Sequence, residues 1–429
     1  MEQPITRIEL ANGMLVLLKE IRTAPLISHW VWYRVGSRDE VGGITGISHW
    51  VEHMQFKGTP AFPSKYLDKV ISRDGGYWNA MTYIDWTTYY ETMPTDKIDL
   101  ALRLEADRMV NSTFDADEVD SERTVIISER QGSENSPLFL LSEEVQAAVF
   151  RVHAYHHKVI GDLADLHTIQ RDNLCNHYGT FYRPNNAILS IAGDFDTEAM
   201  LARIRELYEP IPAGELPPRR VRPEPEQKGE RRLTVEGPGE TTFVKVAYRA
   251  PEATNPDFYS FTVLDSLLTG PSSLNLFGGS ISNKTSRLYR ALVEKELAVG
   301  VGGGLQATID PYLYAITATV HPERSSQEVI EALDAEIKRI QDEIPSAAEI
   351  ARAVKQARAL FAYGSESITN QAFWLGFSEI FDNYDWFLTY LDKLAAVTPE
   401  EVQRVARTYL RPQKRVLGVY LPTGTEEVT

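Results

Sequence analysis

Two histidines four residues apart are the first sign of chemistry in this chain. His49 and His53 lie in the segment GISHWVEHMQFKGTP (residues 46–60), with Glu52 between them. If this segment is helical, the two histidines share one face, a turn apart, and can bind a single metal ion. A glutamate on the adjoining turn can then accept a proton from a water molecule beside the metal. This HxxEH order is the inverse of the HExxH order of common zinc peptidases, and it predicts zinc-dependent hydrolysis.

A catalytic metal also needs a third protein ligand and an open position for water. Residues 114–134 (FDADEVDSERTVIISERQGSE) predict a helix with Asp115 as N-cap and Glu118 as its reciprocal partner. Glu122 and Glu129 are seven residues apart in this helix, so they share a face. Local sequence leaves two interpretations open, a metal-site pair or a solvated charged face. Poorer ligand candidates lie in a loop-like stretch: His153, His156 and His157.

The chain resembles the pitrilysin (M16) family of zinc peptidases, in particular its short branch, which includes mitochondrial processing peptidase. Besides HxxEH, residues 75–90 (GGYWNAMTYIDWTTYY) and 181–196 (FYRPNNAILSIAGDFD) match family motifs in the same order, and the resemblance covers the whole chain. It implies one Zn²⁺ per chain with Glu129 as the third ligand. It also implies that Glu122 supports a ligand histidine. Zinc is preferred by family habit, since two histidines and a glutamate accept several metals.

The resemblance further implies the activity of a metalloendopeptidase. His49, His53 and Glu129 would hold the zinc, which lowers the pKa of water from 15.7 toward about 7. Glu52 would be the catalytic base, taking a proton from water and passing it to the leaving amine. Glu52 is expected not to be a ligand, because a coordinated carboxylate is a poor base.

Substrate contacts are expected along one strand. The alternation and the β-branched and aromatic content of WNAMTYIDWTTYY (78–90) predict a strand. The resemblance implies that it borders the site and that a peptide adds to it by backbone pairing, so extended or unfolded peptides are the expected substrates. Asn79 and Ala80 are then expected to contact substrate, and Phe56 to line a pocket. Two alternatives stay open: Asn79 as a turn residue and Phe56 as part of the core.

Composition restricts the class of protein. The chain has 429 residues and a net charge of −16, from 44 basic and 60 acidic residues. This length predicts two or three domains, and the acidity argues against nucleic acid as a partner, because phosphate binding needs clustered Lys and Arg. The sequence predicts no membrane span and no secretory signal, so a cytoplasmic location is expected. The single cysteine, Cys175, has no partner for an internal disulfide.

A linker and an internal repeat organise the chain. The stretch rich in proline and charge at residues 212–232 is typical of an extended connector. On either side, TFYRPNNAILSIAGDFD (180–196) and TYLRPQKRVLGVYLPTG (408–424) correspond as helix, Arg-Pro turn and strand. The sequence therefore predicts an α+β fold of two tandem homologous domains, each an antiparallel-rich sheet covered by helices on one side. The predicted parts are a zinc-binding catalytic domain (1–211), the linker, and a homologous domain without metal (233–429).

One departure from the family pattern lies in the second half. Active single-chain members carry an arginine and a tyrosine in a segment such as LREKRGLAY, where this chain has LVEKELAVG with Val293 and Val299. Arg287 belongs to another motif and is expected to be structural. Two explanations are open. The first is a homodimer or heterodimer in which an M16-type partner subunit supplies the Arg/Tyr pair. The second is a catalytically weak or inactive structural subunit, and the retained metal residues favour the first.

Overall fold

The computed structural model describes residues 5–219, 222–274 and 281–424. It contains two compact units, each assembled from three stretches of chain. The first unit comprises the described residues of Met1–Arg130, His157–Val221 and Ser365–Tyr384. The second unit comprises the described residues of Gln131–His156, Arg222–Gly364 and Asp385–Thr429.

Runs of strands and runs of helices follow one another along both halves of the described chain. The strands are β1 (Thr6–Glu9), β2 (Leu15–Glu20), β3 (Leu26–Tyr33), β4 (Tyr77–Thr82), β5 (Thr87–Pro94), β6 (Ala187–Gly193), β7 (Arg231–Gly237), β8 (Phe243–Arg249), β9 (Ala298–Gly304), β10 (Leu313–Val320) and β11 (Arg415–Pro422). The helices are α1 (Ile47–Met54), α2 (Ser64–Arg73), α3 (Ile98–Asn111), α4 (Ala116–Glu134), α5 (Pro137–Val149), α6 (Leu163–Thr168), α7 (Arg171–Phe181), α8 (Thr197–Tyr208), α9 (Asp257–Leu268), α10 (Ser326–Asp342), α11 (Ala347–Tyr363), α12 (Ile368–Phe381), α13 (Tyr384–Ala395) and α14 (Pro399–Tyr409). None of the helices in the described ranges has the length and apolar character needed to cross a membrane.

The first unit is built on a six-stranded sheet with the order β1-β2-β6-β3-β5-β4. Neighbouring strands are antiparallel except for the parallel pair β2 and β6. All seven residues of β6 are buried, and so are seven of the eight residues of β3. Strand β4 lies at the edge of the sheet, where it pairs with β5. Helix α1, which carries His49 and His53, belongs to the same unit.

Helices cover both faces of this sheet, so the prediction of helices on one side only is wrong for the first unit. Side chains of a strand alternate between faces. Trp30 and Trp32 point to one face, where their rings lie 5.6 and 5.4 Å from Phe373 of α12. Val31 and Tyr33 point to the other face and join the apolar core that includes α1 and α3. The covering helix α12 is distant in sequence, so local periodicity does not reveal it.

Close packing of α12 on this sheet gives a stability prediction. A methyl group at Gly376 would lie 2.1 Å from Trp32 Nε1 and 2.8 Å from Ser190 Oγ, two atoms that also hydrogen-bond to each other. We expect Gly376→Ala to lower the free energy of unfolding by about 1–3 kcal/mol, measured by urea denaturation. The matched control is Gly132→Ala in α4, where an added Cβ meets nothing within 4 Å. There the better helix propensity should raise stability by up to about 1 kcal/mol, and equal changes in both variants would contradict the packing.

The second unit repeats the arrangement of the first. Its five-stranded sheet has the order β7-β11-β8-β10-β9, with β7 and β11 parallel and the other neighbours antiparallel. This order matches β2-β6-β3-β5-β4 strand for strand. The closing segments also agree, because α7 leads into β6 and α14 into β11 through short turns that start at a proline. The predicted α+β fold of two homologous copies is confirmed.

Each unit includes one helix from the opposite half of the chain. Helix α5 precedes the predicted linker but packs on the second sheet, where Val145 and Leu141 contact Gly418 of β11. Helix α12 follows the linker but packs on the first sheet. A division at residues 212–232 would therefore assign both helices to the unit on which they do not pack. The described residues between 212 and 230 contain no helix or strand, as expected for the connector.

Candidate metal centre

Helix α1 begins at a position fixed by backbone geometry and a buried carboxyl group. Gly46, its N-cap residue, has φ 88°, and an added Cβ would lie 2.5 Å from the carbonyl oxygen of Ile160. This position therefore requires glycine. The carboxyl oxygens of Glu40 accept hydrogen bonds from the backbone N–H groups of Gly46 (2.8 Å) and Ser48 (2.9 Å). These contacts fix the first turn of the helix that carries both histidines.

His49, His53 and Glu129 come together as the sequence predicts. The Nε2 atoms of the two histidines lie 3.2 Å apart. Glu129 on α4 places its Oε2 atom 3.9 Å from His49 Nε2 and 3.7 Å from His53 Nε2. Among the described residues, these three form the one group of three or more His, Cys, Asp and Glu side chains whose donor atoms all lie within 4.8 Å of one another.

This donor set fits a zinc ion. Zn–N bonds of about 2.0–2.1 Å in a tetrahedral site place neighbouring donor atoms about 3.3 Å apart. The distance of 3.2 Å between the imidazole nitrogens agrees with that edge, and the carboxylate oxygen is slightly farther away. Two histidines and one glutamate also form the ligand set of several catalytic zinc sites. Burial lowers the pKa of His49 to about 3, so its imidazole is neutral and has a lone pair for a metal.

Glu122 contacts His53 from the side opposite to the converging nitrogens. Its Oε1 atom lies 2.8 Å from His53 Nδ1, and its other oxygen pairs with the ammonium group of Lys57. Burial acts to raise the pKa of Glu122, but the hydrogen bonds from His53 and Lys57 lower it overall. A hydrogen bond from Nδ1–H to this carboxylate leaves the Nε2 lone pair directed toward His49 and Glu129.

Glu52 stands beside the ligand group and is not part of it. It is 9% exposed, and its Oε2 atom accepts a hydrogen bond of 2.6 Å from the hydroxyl of Thr82 at the end of β4. Burial raises the pKa of Glu52, while the hydrogen bond from Thr82 and the charge of His53 act in the opposite direction. The negative charge of Glu129 acts in the same direction as burial and raises the pKa of Glu52 further.

The predicted substrate residues divide between the two faces of β4. Ala80 shares a face with Thr82 and Trp78, and the ring of Phe56 packs 4.7 Å from that of Trp78. Phe56 also packs against the apolar core, which agrees with the alternative left open for it. Asn79 lies on the opposite face, where its amide donates to the hydroxyl of Tyr77 (3.2 Å). Its side chain therefore does not converge with Glu52.

Two residues at the centre were not singled out from the sequence. Thr82 is the threonine of the NAxT motif at residues 79–82, so its place in the motif was a usable signal. Lys57 follows His53 by four residues, and at helical spacing it falls near the same face. A lysine beside a carboxylate is too common a pattern to stand out without the structure.

The N-cap prediction for Asp115 is confirmed by hydrogen bonds from the backbone N–H groups of Asp117 (3.0 Å) and Glu118 (3.4 Å).

The segment that departs from the family pattern, residues 292–300, lies in the second unit. Val299 is 56% exposed on β9, which is the edge strand of its sheet. Arg287 pairs with Glu349, with Nη2 and Oε1 2.9 Å apart, and Glu349 caps the start of α11. The structural role expected for Arg287 is therefore confirmed. Two of the three histidines judged poor ligand candidates contact carboxyl groups: His153 contacts Asp310 (3.3 Å) and His157 contacts Glu40 (3.0 Å).

Comparisons with known proteins agree with this fold. Residues 15–163 match the profile described as Insulinase (Peptidase family M16), and residues 168–357 match Peptidase M16 inactive domain. A relative from Mycobacterium bovis, named an uncharacterized zinc protease, is 28% identical over 426 residues, 98% of this chain and 94% of the relative. A crystal structure of a protease from Helicobacter pylori matches with a TM-score of 0.90 at 24% identity, over 98% of this chain and 100% of that chain. The peptidase M16 inactive domain from Pseudomonas fluorescens matches with a TM-score of 0.88 at 19% identity, over 99% of each chain.

Fold and site together define a protein of two homologous α+β units, and the described residues contain one candidate metal centre, located in the first unit. The chain belongs to the M16 peptidase family, because the two matched profiles span most of its length. Similarity to mitochondrial processing peptidase in particular stays a prediction. The second profile carries the description of an inactive domain, and the part it matches includes Val293 and Val299.

Proposed function

We propose that this chain is a zinc-dependent endopeptidase that cleaves extended or unfolded peptides. The observation that carries the proposal is the convergence of two imidazole nitrogens and one carboxylate oxygen within 4.8 Å, with Glu52 beside them but outside the ligand set. The names of relatives as zinc proteases support the same conclusion. The ligands are His49, His53 and Glu129.

The chemistry divides between the metal and this chain. When bound, zinc supplies a Lewis acid that polarises water and the scissile carbonyl. Glu52 accepts the proton of the attacking water and later donates it to the leaving amine nitrogen. The raised pKa of Glu52 suits both tasks. A carboxylate whose pKa is low binds a proton only weakly near neutral pH, so it is a poor proton acceptor. Thr82 fixes the carboxylate by donating to Oε2, and Glu122 orients His53 through Nδ1.

The edge of the first sheet supports the substrate class. Strand β4 ends at Thr82, which contacts the catalytic base, and in the described part of the chain it pairs with β5 alone. A peptide in extended conformation can add to such an edge through backbone hydrogen bonds, which select conformation more than sequence. Folded proteins cannot present this conformation without local unfolding. Unstructured peptides are therefore the substrates to test first.

A partner subunit is part of the proposal. The side chains of Val293 and Val299 cannot donate hydrogen bonds to a developing oxyanion. A second copy of this chain has the same two valines, so of the two dimers left open by the sequence only a heterodimer with an M16-type chain that carries the Arg/Tyr pair completes the site. A tagged copy of this chain, purified from its native host, should bring down a subunit of similar length that lacks HxxEH. Recovery of this chain alone, as a monomer or as a homodimer, would contradict the proposal.

The second candidate function is that of a weakly active or inactive structural subunit. It is favoured by the two valines and by the match of residues 168–357 to the inactive-domain profile. Retention of all the metal-site residues argues against it, because a structural subunit has no need of His49, Glu52 and His53 together. The two candidates differ in whether zinc-dependent cleavage occurs.

Removal of the metal distinguishes the two candidate functions, zinc endopeptidase and structural subunit. Zinc-loaded protein is expected to cleave a mixture of unstructured peptides, because Glu52 then has an activated water to deprotonate. Mass spectrometry of the products measures this cleavage. Protein stripped with a chelator should lose this cleavage and regain it when zinc is restored. Circular dichroism before and after stripping controls for unfolding. Cleavage that persists in the stripped, folded protein would contradict a metallopeptidase. Absence of cleavage by the zinc-loaded chain, both alone and with its co-purified partner, would favour the structural subunit.

A further inference from the structure

Lys57 connects the two helices that carry the ligand group. It ends the short 3₁₀ turn Gln55–Lys57 that continues α1, and its side chain is 25% exposed. The ammonium group contacts two carboxylates of α4, pairing closely with Glu122 and lying 3.4 Å from Oε2 of Glu118. Glu118 was predicted to reach back to its own helix cap, and instead it contacts this lysine.

The contacts of Glu122 are divided between its two oxygens. Oε1 lies 2.8 Å from His53 Nδ1, and Oε2 pairs with Lys57. The carboxylate therefore cannot turn about its side-chain torsions without losing one of the two contacts. Since its side chain is only 7% exposed, little water is available to replace a lost partner. Lys57 thereby restrains Glu122, and through it the ring orientation of His53.

The backbone at Lys57 is itself anchored to the start of α4. The next residue, Gly58, has φ 90°, and an added Cβ would lie 2.6 Å from both Phe62 O and Ser64 N. Its carbonyl oxygen accepts hydrogen bonds of 3.2 Å from the backbone N–H and from the hydroxyl of Thr113, in the connection before α4. The position of Lys57 relative to α4 is thus fixed by the main chain as well as by its ion pairs.

We infer that Lys57 is a positioning residue for the metal centre, holding Glu122 so that it orients His53 Nε2 toward the metal. The inference rests on the proposed zinc site and adds a residue that touches neither metal nor substrate. Partners that orient a ligand histidine typically contribute 10–100-fold to metal affinity. Loss of Lys57 removes one of two restraints on that partner, so a loss of about tenfold is expected.

Zinc affinity of the full chain tests this role independently of peptidase activity. Metal-free protein is titrated with Zn²⁺ in competition with a chelating dye. Lys57→Met, of similar length but without charge, is expected to bind zinc about tenfold more weakly than the original chain. Lys57→Arg keeps a cation that can pair with Glu122 and is expected to recover part of the loss. The matched control is Lys338→Met in α10, which removes another lysine–carboxylate contact, that with Asp342. It should leave zinc affinity unchanged.

The outcomes separate this inference from the proposed function. Unchanged zinc affinity in Lys57→Met, or an equal loss in Lys338→Met, would overturn the role of Lys57 while leaving the metal centre in place. Absence of zinc binding by the original chain would overturn the metal centre and the inference with it. Circular dichroism of the metal-free variants shows whether they fold. If Lys57→Met does not fold, Lys57→Gln, which keeps a hydrogen-bond donor, is judged by the same criterion.

Discussion

Replacing Glu52 by glutamine is expected to slow peptide cleavage by about 10²–10⁴-fold while zinc affinity stays nearly unchanged. Glutamine has almost the same shape, and its carbonyl oxygen can still accept the hydrogen bond that Glu52 takes from Thr82 (2.6 Å). It cannot accept the proton of the attacking water. Because Glu52 lies outside the group of three donors, its removal spares the ligands. Initial rates on an unstructured peptide, together with a zinc titration, measure both effects.

Two controls sharpen this result. Glu198→Gln makes the same chemical change at an exposed position in α8 and should leave the rate unchanged. Glu129→Gln replaces a ligand, so it should weaken zinc binding as well as cleavage. Loss of zinc in Glu52→Gln would show that this residue is a ligand and would contradict its role as base. A rate equal to that of the original chain would exclude Glu52 from proton transfer.

The two candidate histidine ligands could be predicted because their local spacing fixes their common helix face. His49 and His53 share a helix face by their separation of four residues, and the structure places their Nε2 atoms 3.2 Å apart. Glu129 lies on another helix, so spacing alone left two interpretations open for it, a metal ligand or part of a solvated face. The family resemblance, which places a glutamate ligand at that position, decided between them. The distances from Glu129 to both histidines agree with that choice.

The features of the fold that the sequence did not predict depend on contacts between residues that are distant in sequence. The repeat and the linker predict two copies of one fold, but they do not reveal that α5 and α12 each cover the other copy's sheet. An amphipathic helix shows which face it buries, and nothing in its sequence says against which sheet. The motif placed Asn79 on β4, and the structure adds that its amide donates to Tyr77 on the opposite face from Thr82. Contact of Asn79 with substrate stays a prediction.

The two valines are where this chain departs from the family pattern described for active single-chain members. A metal site with a positioned base can bind and polarise a peptide, yet charge that develops on the carbonyl oxygen still needs donors. Val293 and Val299 offer none, and Val299 is exposed on the edge strand β9. Exposure of an apolar side chain at the position where the family carries a tyrosine is consistent with a site completed by another chain. It is equally consistent with a weakly active chain, so rates must decide.

Addition of a partner subunit with the Arg/Tyr pair is expected to raise cleavage by about 10²–10³-fold per zinc-bearing chain, because that is the usual contribution of oxyanion donors. The partner is the chain that co-purifies with this one, and the measurement compares initial rates of this chain alone and with the partner at saturation. A partner variant with the arginine and tyrosine replaced by alanine and phenylalanine is the matched control, since it should still bind without restoring the rate. Full activity of this chain alone, or full restoration by the control variant, would contradict completion by a partner. In the first case Glu52 and the zinc ligands suffice without added donors, and in the second the partner acts by stabilising the chain.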